Sequence, residues 1–79
     1  MNLLSENDFR TLETAMRRME RVILEREMDP VRIRVSTTTA DNAWTVAMLV
    51  RVEKWLPGWY ETQYHESVQK ARHSWLTKV

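Results

Sequence analysis

Residues 31–53, VRIRVSTTTADNAWTVAMLVRVE, decide the fold of this chain. At the start of the segment, Val31 and Ile33 alternate with arginines, which is the period of a strand with one apolar face. Further along, Asp41-Asn42 suits a two-residue turn, because both residue types tolerate a left-handed backbone. The segment is therefore predicted to form a β-hairpin.

The position of this turn determines the cross-strand pairs of the hairpin. On one face it places Val31 opposite Val52, and on the other face it places Arg32 opposite Arg51. The remaining cross-strand pairs are likewise mainly apolar on the first face and mainly polar on the second. One choice of turn thus sorts both strands into an apolar and a polar face, which favours the hairpin.

A helix over residues 42–56 is the competing interpretation, and it would make the chain an all-α bundle. On a helical wheel the apolar residues of this range fall on all sides, which suits only a fully buried helix. Its β-branched residues, Thr45, Val46, Val50 and Val52, favour a strand instead. The hairpin is the preferred prediction.

A helix is predicted before the hairpin, over about residues 5–28. Ser5 and Asp8 have the spacing of a capping box. Asp29-Pro30 ends the helix, because the residue before a proline avoids the helical region. Apolar residues at helical spacing would face the core: Leu4 and Phe9, which have the spacing of a hydrophobic staple, and then Leu12, Met16, Met19 and Ile23.

A second helix is predicted after Leu56-Pro57-Gly58, over about residues 59–76. Its apolar residues recur at steps of three and four, with polar residues between them. This apolar stripe consists of Tyr60, Tyr64, Val68, Ala71 and Trp75.

The sequence therefore predicts one α+β domain over residues 1–79, with the order helix, strand, strand, helix (αββα). The two strands are expected at about residues 31–39 and 44–53. Both helices are expected to pack on the apolar face of the hairpin, because a two-stranded hairpin is barely stable alone.

Composition argues against several classes of function. The chain of 79 residues has no Cys, one Gly and a formal net charge of +1, so disulfides, thiolate metal sites and glycine-rich phosphate loops are not expected. His65 and His73 lack the spacing of a metal site, and no nucleophile motif is present. No signal peptide or membrane-spanning segment is indicated. We therefore expect a cytoplasmic, non-enzymatic protein with no catalytic or metal-binding residues, cofactor, membrane association or small-molecule substrate.

Residues 55–64, WLPGWYETQY, contain two Trp and two Tyr. Most large aromatic side chains are expected in the core or at its edge, since each buries roughly 150–250 Å². Trp59 directly follows the turn and lies outside the helical stripe, and this position leaves its exposure open. An exposed Trp59, with Tyr60 or Trp55 beside it, would anchor a protein partner. The residues expected in or near the core are Trp44, Trp55, Tyr60, Tyr64 and Trp75.

The polar face of the hairpin is a second candidate surface, formed by Arg32, Arg34 and Arg51. Like charges directly across a ladder repel, so the pair Arg32–Arg51 indicates a compensating group, either Glu53 or an acidic partner. A two-stranded ribbon can also enter a major groove, where arginines contact phosphates and guanines. Nucleic-acid binding through these arginines and Lys54 is therefore the alternative function.

The two free edges of a hairpin invite pairing with another chain, so a homodimer with a four-stranded sheet is expected. The preferred function is a small regulatory module that binds a protein, as an inhibitor or adaptor, through the aromatic or arginine surface. A structural or assembly subunit is a further alternative. In its size, aromatic density and lack of catalytic motifs, the chain resembles small accessory proteins of phages and mobile elements, which often bind and inhibit a host protein.

Overall fold

In a computed structural model of the chain, residues 3–41 and 46–73 are described. The elements are α1 (Glu6–Arg18), β1 (Ile23–Met28), β2 (Val31–Asp41), β3 (Val46–Leu56), β4 (Trp59–His65) and α2 (Val68–Arg72). The strands form an antiparallel sheet in the order β1-β2-β3-β4, each pairing with the next along the chain. This architecture confirms the predicted α+β class.

The start of α1 agrees with the capping pattern. The Ser5 hydroxyl accepts a hydrogen bond from the Asp8 amide at 3.1 Å, and the Asp8 carboxylate accepts one from the Ser5 amide at 3.0 Å. These bonds satisfy backbone donors at the start of the helix. Leu4 and Phe9, the staple pair, are both buried.

The end of α1 differs from the prediction, because the helix stops at Arg18. Met19 adopts the left-handed conformation with a φ of 54°. The amides of Met19 and Glu20 bond back to the carbonyls of Met16 and Ala15 at 3.3 and 2.9 Å, respectively. This is the hydrogen-bonding pattern of a Schellman motif, which terminates a helix.

We expect the substitution Met19→Gly to raise the free energy of unfolding by about 0.5–1 kcal/mol. A left-handed backbone brings Cβ too close to the following carbonyl oxygen, and glycine removes that strain. The Met19 side chain is exposed, so its loss removes little buried surface. Urea denaturation measures the difference. Met19→Ala is the control, because it retains Cβ and should show no gain, and a destabilised glycine variant would contradict the expectation.

The predicted helix over residues 5–28 is wrong for residues 23–28, which form the edge strand β1. A two-residue turn at Asp29-Pro30, with a cis peptide bond, connects β1 to β2. Successive side chains of a strand point to opposite faces. Accordingly, Leu24 packs against the core, whereas Ile23 is 64% exposed.

The pairing of β2 with β3 is shifted by four residues from the predicted pairing. Val52 lies opposite Val35 and not opposite Val31. Because four is an even number, the shift leaves paired side chains on their predicted faces of the sheet. Asp41 is still paired within the sheet, and residues 42–45, where the predicted turn continues, lie outside the described residues.

The predicted second helix over residues 59–76 is wrong for its first part, which forms the edge strand β4. Leu56 pairs with Trp59, so Pro57-Gly58 is a two-residue hairpin turn. Gly58 has a φ of 73°, and proline followed by a residue of positive φ is the pattern of a type II turn. The second helix, α2, is correspondingly short.

The spacing that suggested a helix at Tyr60 and Tyr64 also fits a strand. The two residues are separated by an even number of positions, so they lie on the same face of β4. This face does not point into the core, since Tyr60 is 48% and Tyr64 is 57% exposed. Their predicted core positions are therefore wrong. Trp55 is partly buried but lies on this same face, outside the hydrophobic cluster, so its predicted core position is also wrong. Trp44 and Trp75 lie outside the described residues.

The hydrophobic core lies on one side of the sheet. Inward side chains of β2 and β3 form one cluster there with side chains of both helices. The buried members of this cluster are Leu4, Phe9, Leu12, Val31, Ile33, Val35, Val50, Val52, Val68 and Ala71.

Candidate functional site

The two faces of the sheet differ in character. The helix face carries the side chains that pack in the hydrophobic cluster, and no side chain on the opposite face of the described strands belongs to that cluster. We call this opposite face the outer face. It consists of Ile23, Glu25 and Glu27 of β1, Arg32, Arg34, Ser36, Thr38 and Ala40 of β2, Ala47, Leu49, Arg51, Glu53 and Trp55 of β3, and Tyr60, Thr62 and Tyr64 of β4.

Two of the residues proposed from sequence do not lie on the outer face. Trp59 pairs with Leu56 on the helix face, where it is 40% exposed. The Trp59 side chain is thus exposed, but it cannot share one flat surface with Tyr60 or Trp55, because neighbouring strand residues alternate between faces. Lys54 also points to the helix face and is buried. The residues that the outer face does bring together are Arg32, Arg34, Arg51, Trp55 and Tyr60.

Two arginines pack on the ring of Trp55 at one end of the outer face. The guanidinium carbons of Arg32 and Arg34 lie 4.5 and 5.4 Å from its centroid, within the range of a cation–π interaction. The Tyr60 ring lies 5.1 Å from the Trp55 ring. Trp55 has this position because it pairs with Arg32 on β2 and with Tyr60 on β4. The predicted opposition of Arg32 and Arg51 is therefore wrong.

Glu53 lies at the centre of the outer face and is only 4% exposed. Its Oε1 atom lies 3.2 Å from Arg51 Nε and 3.9 Å from Arg34 Nη1. Its Oε2 atom accepts a hydrogen bond from the Tyr60 hydroxyl at 3.0 Å. A buried carboxylate is costly unless it is paired and hydrogen-bonded, and these three neighbours provide that compensation.

Arg51 is held between Glu53 and two tyrosines. Its guanidinium carbon lies 5.9 Å from the centroid of the Tyr64 ring. Hydrogen bonding to the Tyr60 hydroxyl raises the pKa of Arg51 and the charge of Glu53 adds to this, although burial acts in the opposite direction. The buried Nε atom is close to Glu53 but lacks hydrogen-bond geometry, so we treat this contact as an ion pair.

The charges of the outer face balance one another. Glu25 Oε1 accepts a hydrogen bond from Arg34 Nε at 2.8 Å, and Glu27 lies opposite Arg32 in the register of β1 and β2. With Glu53 and Arg51, the paired strands place three acids and three arginines on this face. A surface that binds a nucleic-acid backbone normally carries a positive excess, which this face lacks.

Tyr60 and Tyr64 give the outer face two exposed aromatic rings. Sequence reasoning includes Tyr60 among the candidate partner contacts but assigns Tyr64 to the core alone. The sequence does contain a signal for the surface position of Tyr64, because Tyr60, Thr62 and Tyr64 alternate as residues on one face of a strand do. This signal can be used only once Pro57-Gly58 is interpreted as a hairpin turn.

A charged contact on the helix face joins β1 to the start of α1. Arg26 Nη2 donates a hydrogen bond to Asp8 Oδ1 at 2.7 Å. Burial raises the pKa of Asp8, but the Ser5 amide and the Arg26 guanidinium outweigh burial, so the pKa lies below its usual value. This contact stabilises the fold, and it is distant from the outer face because it lies on the other side of the sheet.

We expect Asp8→Asn to cost about 1 kcal/mol of stability at neutral pH and almost nothing near pH 2. A carboxyl whose pKa is lowered on folding stabilises the protein above its unfolded pKa, about 3.9, and this stabilisation is lost as the pH falls through the folded pKa. Asparagine keeps an acceptor for the Ser5 amide but removes the charge opposite Arg26. Urea denaturation at several pH values measures the difference, and a difference that stays constant with pH would contradict this account.

No three His, Asp or Glu side chains in residues 3–41 and 46–73 are grouped so that they could hold a metal ion. No helix in the same ranges is long and apolar enough to cross a lipid bilayer. Comparisons of the chain with protein-family models, with curated proteins and with solved structures gave no match in any of the three.

Proposed function

We propose that this chain is a non-enzymatic protein-binding module, an inhibitor or adaptor, whose contact surface is the outer face of its sheet. The observation that carries the proposal is a set of exposed tyrosines beside arginines that are already positioned by packing on Trp55 and Glu53. Tyr and Arg are enriched among the residues that dominate binding energy at interfaces. Side chains that are already ordered lose less entropy when a partner binds.

The balanced charge of the outer face favours a protein partner over a polyanion. Each guanidinium carries five N–H donors, and the rings of Tyr60 and Tyr64 present apolar surface beside them. A matching partner surface would offer carbonyl or carboxylate oxygens around an apolar side chain. Such mixed polarity is typical of non-obligate protein interfaces.

We expect Tyr64→Ala to reduce retention of the partner at least tenfold, which corresponds to about 1.4 kcal/mol. The tagged chain is incubated with nuclease-treated lysate, and the retained proteins are identified by mass spectrometry. Because Tyr64 is exposed, the substitution should leave the melting temperature nearly unchanged. A protein retained by the wild type and lost with Tyr64→Ala would support the outer face as the contact.

Two further variants act as controls for this experiment. Met19→Ala removes an exposed apolar side chain at the end of α1, and Trp59→Ala removes an exposed aromatic side chain from the helix face. Both should retain the partner. Retention that is lost with Trp59→Ala and kept with Tyr64→Ala would contradict the outer face and restore Trp59 as the anchor.

Binding of single-stranded nucleic acid is a second candidate function, favoured by two exposed tyrosines beside arginines on a sheet. Bases stack on aromatic side chains in this way in single-strand-binding domains. Insertion of the hairpin into a major groove is not retained, because four strands span about 14 Å and the groove is about 12 Å wide. Lys54 also lies on the other face.

Fluorescence anisotropy with a labelled single-stranded oligonucleotide tests this second candidate. Three phosphate contacts, from Arg32, Arg34 and Arg51, predict a log–log salt slope of about −2. Arg32→Gln removes a guanidinium that forms no ion pair with Glu53, so it should weaken binding and reduce the slope by about 0.7 while circular dichroism confirms the fold. Absence of binding at 50 mM salt, or a slope near zero, would eliminate this function.

A further inference from the structure

We propose that two copies of the chain pair through the outward edges of their β4 strands, antiparallel and centred on Thr62, to form one eight-stranded sheet. This differs from the dimer predicted from sequence, because β1 and β4 of the same chain occupy both edges of the predicted hairpin. The inference is independent of the proposed function, since purified protein alone reports self-association.

Within the described residues, the β4 strand itself carries few of the features that usually prevent pairing with another chain. Among the described residues, only β3 pairs with β4. Native edge strands are commonly protected by proline, lysine, bulges or marked shortness. The sequence of β4, WYETQYH, contains no proline, no lysine and a single acid, Glu61. Its aromatic residues and threonine also favour extended structure.

The turn determines which backbone groups of β4 point outward. A two-residue hairpin loop closes on a hydrogen-bonded pair, which here is Leu56 and Trp59. Since bonding direction alternates along an antiparallel strand, Tyr60, Thr62 and Tyr64 direct their N–H and C=O groups away from β3. These groups form a donor and acceptor series that a second strand can match.

Pairing of β4 with itself is most complete when the two-fold axis passes through Thr62. Every residue of the strand then has a partner, with Tyr60 opposite the partner's Tyr64 and Thr62 opposite the partner's Thr62. Glu61 lies opposite the partner's Gln63, so its charge meets a neutral amide. A shift that centres the pair on Glu61 shortens the ladder and places two carboxylates directly opposite each other, which is unfavourable.

The other edge strand of the sheet, β1, is less suited to antiparallel pairing with a second copy of itself. Its central residues are Glu25, Arg26 and Glu27. Antiparallel pairing centred on Glu25 places two glutamates opposite each other, and pairing centred on Arg26 places two arginines opposite each other. Like charges directly across a ladder repel, so charge disfavours the two registers in which the residues of β1 pair most completely.

The β4 dimer would join the outer faces of the two chains. One row of side chains would run across the strands from one copy to the other. It would begin with Trp55 on β3 and Tyr60 on β4 of one copy and continue with the partner's Tyr64 and the partner's Arg51. The same sequence of side chains repeats in the reverse direction across the axis. A macromolecule bound to the outer face would therefore meet one continuous aromatic and arginine surface with two-fold symmetry.

Light scattering coupled to size-exclusion chromatography tests the dimer. The wild type is expected to show twice the mass of one chain, and Thr62→Pro is expected to show the mass of one chain. Proline is tolerated at an edge-strand position whose N–H faces solvent, so Thr62→Pro should retain the circular dichroism of the wild type. Thr62→Val is the matched control, because it keeps the N–H group and should remain dimeric.

A single cysteine tests the register, since the chain has no cysteine of its own. Facing residues in a hydrogen-bonded pair lie about 5.5 Å apart, which a disulfide can span. Thr62→Cys should therefore form a covalent dimer on mild oxidation, and Glu27→Cys on β1 should not. A monomeric wild type, or crosslinking through Glu27→Cys alone, would overturn the proposal.

Discussion

The substitution Ile33→Ala is expected to lower the free energy of unfolding by about 2–5 kcal/mol. Ile33 has an exposed fraction of 0% and belongs to the cluster that joins the sheet to both helices. Truncation removes buried apolar surface and leaves a cavity that the surrounding side chains fill only in part. A chain of this length is expected to have a total stability of about 4–12 kcal/mol, so the loss is a large share of it.

Ile23→Ala makes the same chemical change on β1 and is the matched control. Its side chain is mostly exposed, so the expected change is within about 0.5 kcal/mol. Urea denaturation of both variants measures the contrast. If residues 5–28 formed one helix, Ile23 would lie on the core stripe, and its truncation would also be costly. Similar losses for the two variants would therefore contradict the strand assignment of β1.

The substitution Glu53→Ala is expected to lower the free energy of unfolding by about 2–3 kcal/mol. The buried carboxylate compensates Arg34 and Arg51 and accepts a hydrogen bond from Tyr60. Its removal leaves both guanidinium groups without their shared counter-charge and the Tyr60 hydroxyl without its acceptor. The expected loss is below the 3–5 kcal/mol typical of a fully buried pair, because both arginine side chains are about 40% exposed.

Glu25→Ala is the control for the acid at the centre of the outer face. Its ion pair with Arg34 is shorter, at 2.8 Å, than any arginine contact of Glu53. The Glu25 side chain is nevertheless 62% exposed, and exposed ion pairs contribute only about 0–1 kcal/mol. Thermal or urea denaturation distinguishes the two effects. A larger loss for Glu25→Ala would show that distance, and not burial, decides the value of these contacts.

Local signals in the sequence were sufficient to predict the start of α1 and the faces of the central strands. The capping box at Ser5 and Asp8 depends only on neighbouring residues, and the structure contains both of its hydrogen bonds. The faces of β2 and β3 follow from an alternation that an even change of register cannot disturb. The register itself depends on where the connecting loop closes, and the turn signal at Asp41-Asn42 did not locate it, because Asp41 is still paired with Val46 in the sheet.

The end of α1 could not be predicted from its residue types. Helices commonly end with glycine in the left-handed conformation, but this chain places Met19 there. The apolar stripe also continues past the helix to Ile23, which is exposed on β1. Only tertiary pairing with β2 shows that residues 23–28 form a strand.

The character of the outer face was predictable in part. The arginines of β2 and β3 were expected on the polar face, where they lie. The position of Tyr60 and Tyr64 beside them was not, because a spacing of four residues fits both one helical face and one strand face. The hairpin turn at Pro57-Gly58 resolves this ambiguity and moves both tyrosines from the core to the surface.

Photo-crosslinking through a benzoylphenylalanine at position 64 tests the central claim, that the outer face contacts a protein partner, most directly. The same photoreactive residue at position 10, an exposed site on α1, is the control. In the presence of nuclease, we predict a covalent adduct between position 64 and one discrete protein other than a second copy of this chain, and no such adduct from position 10. An adduct from position 10 alone, or adducts from neither position, would contradict the outer face as the binding surface.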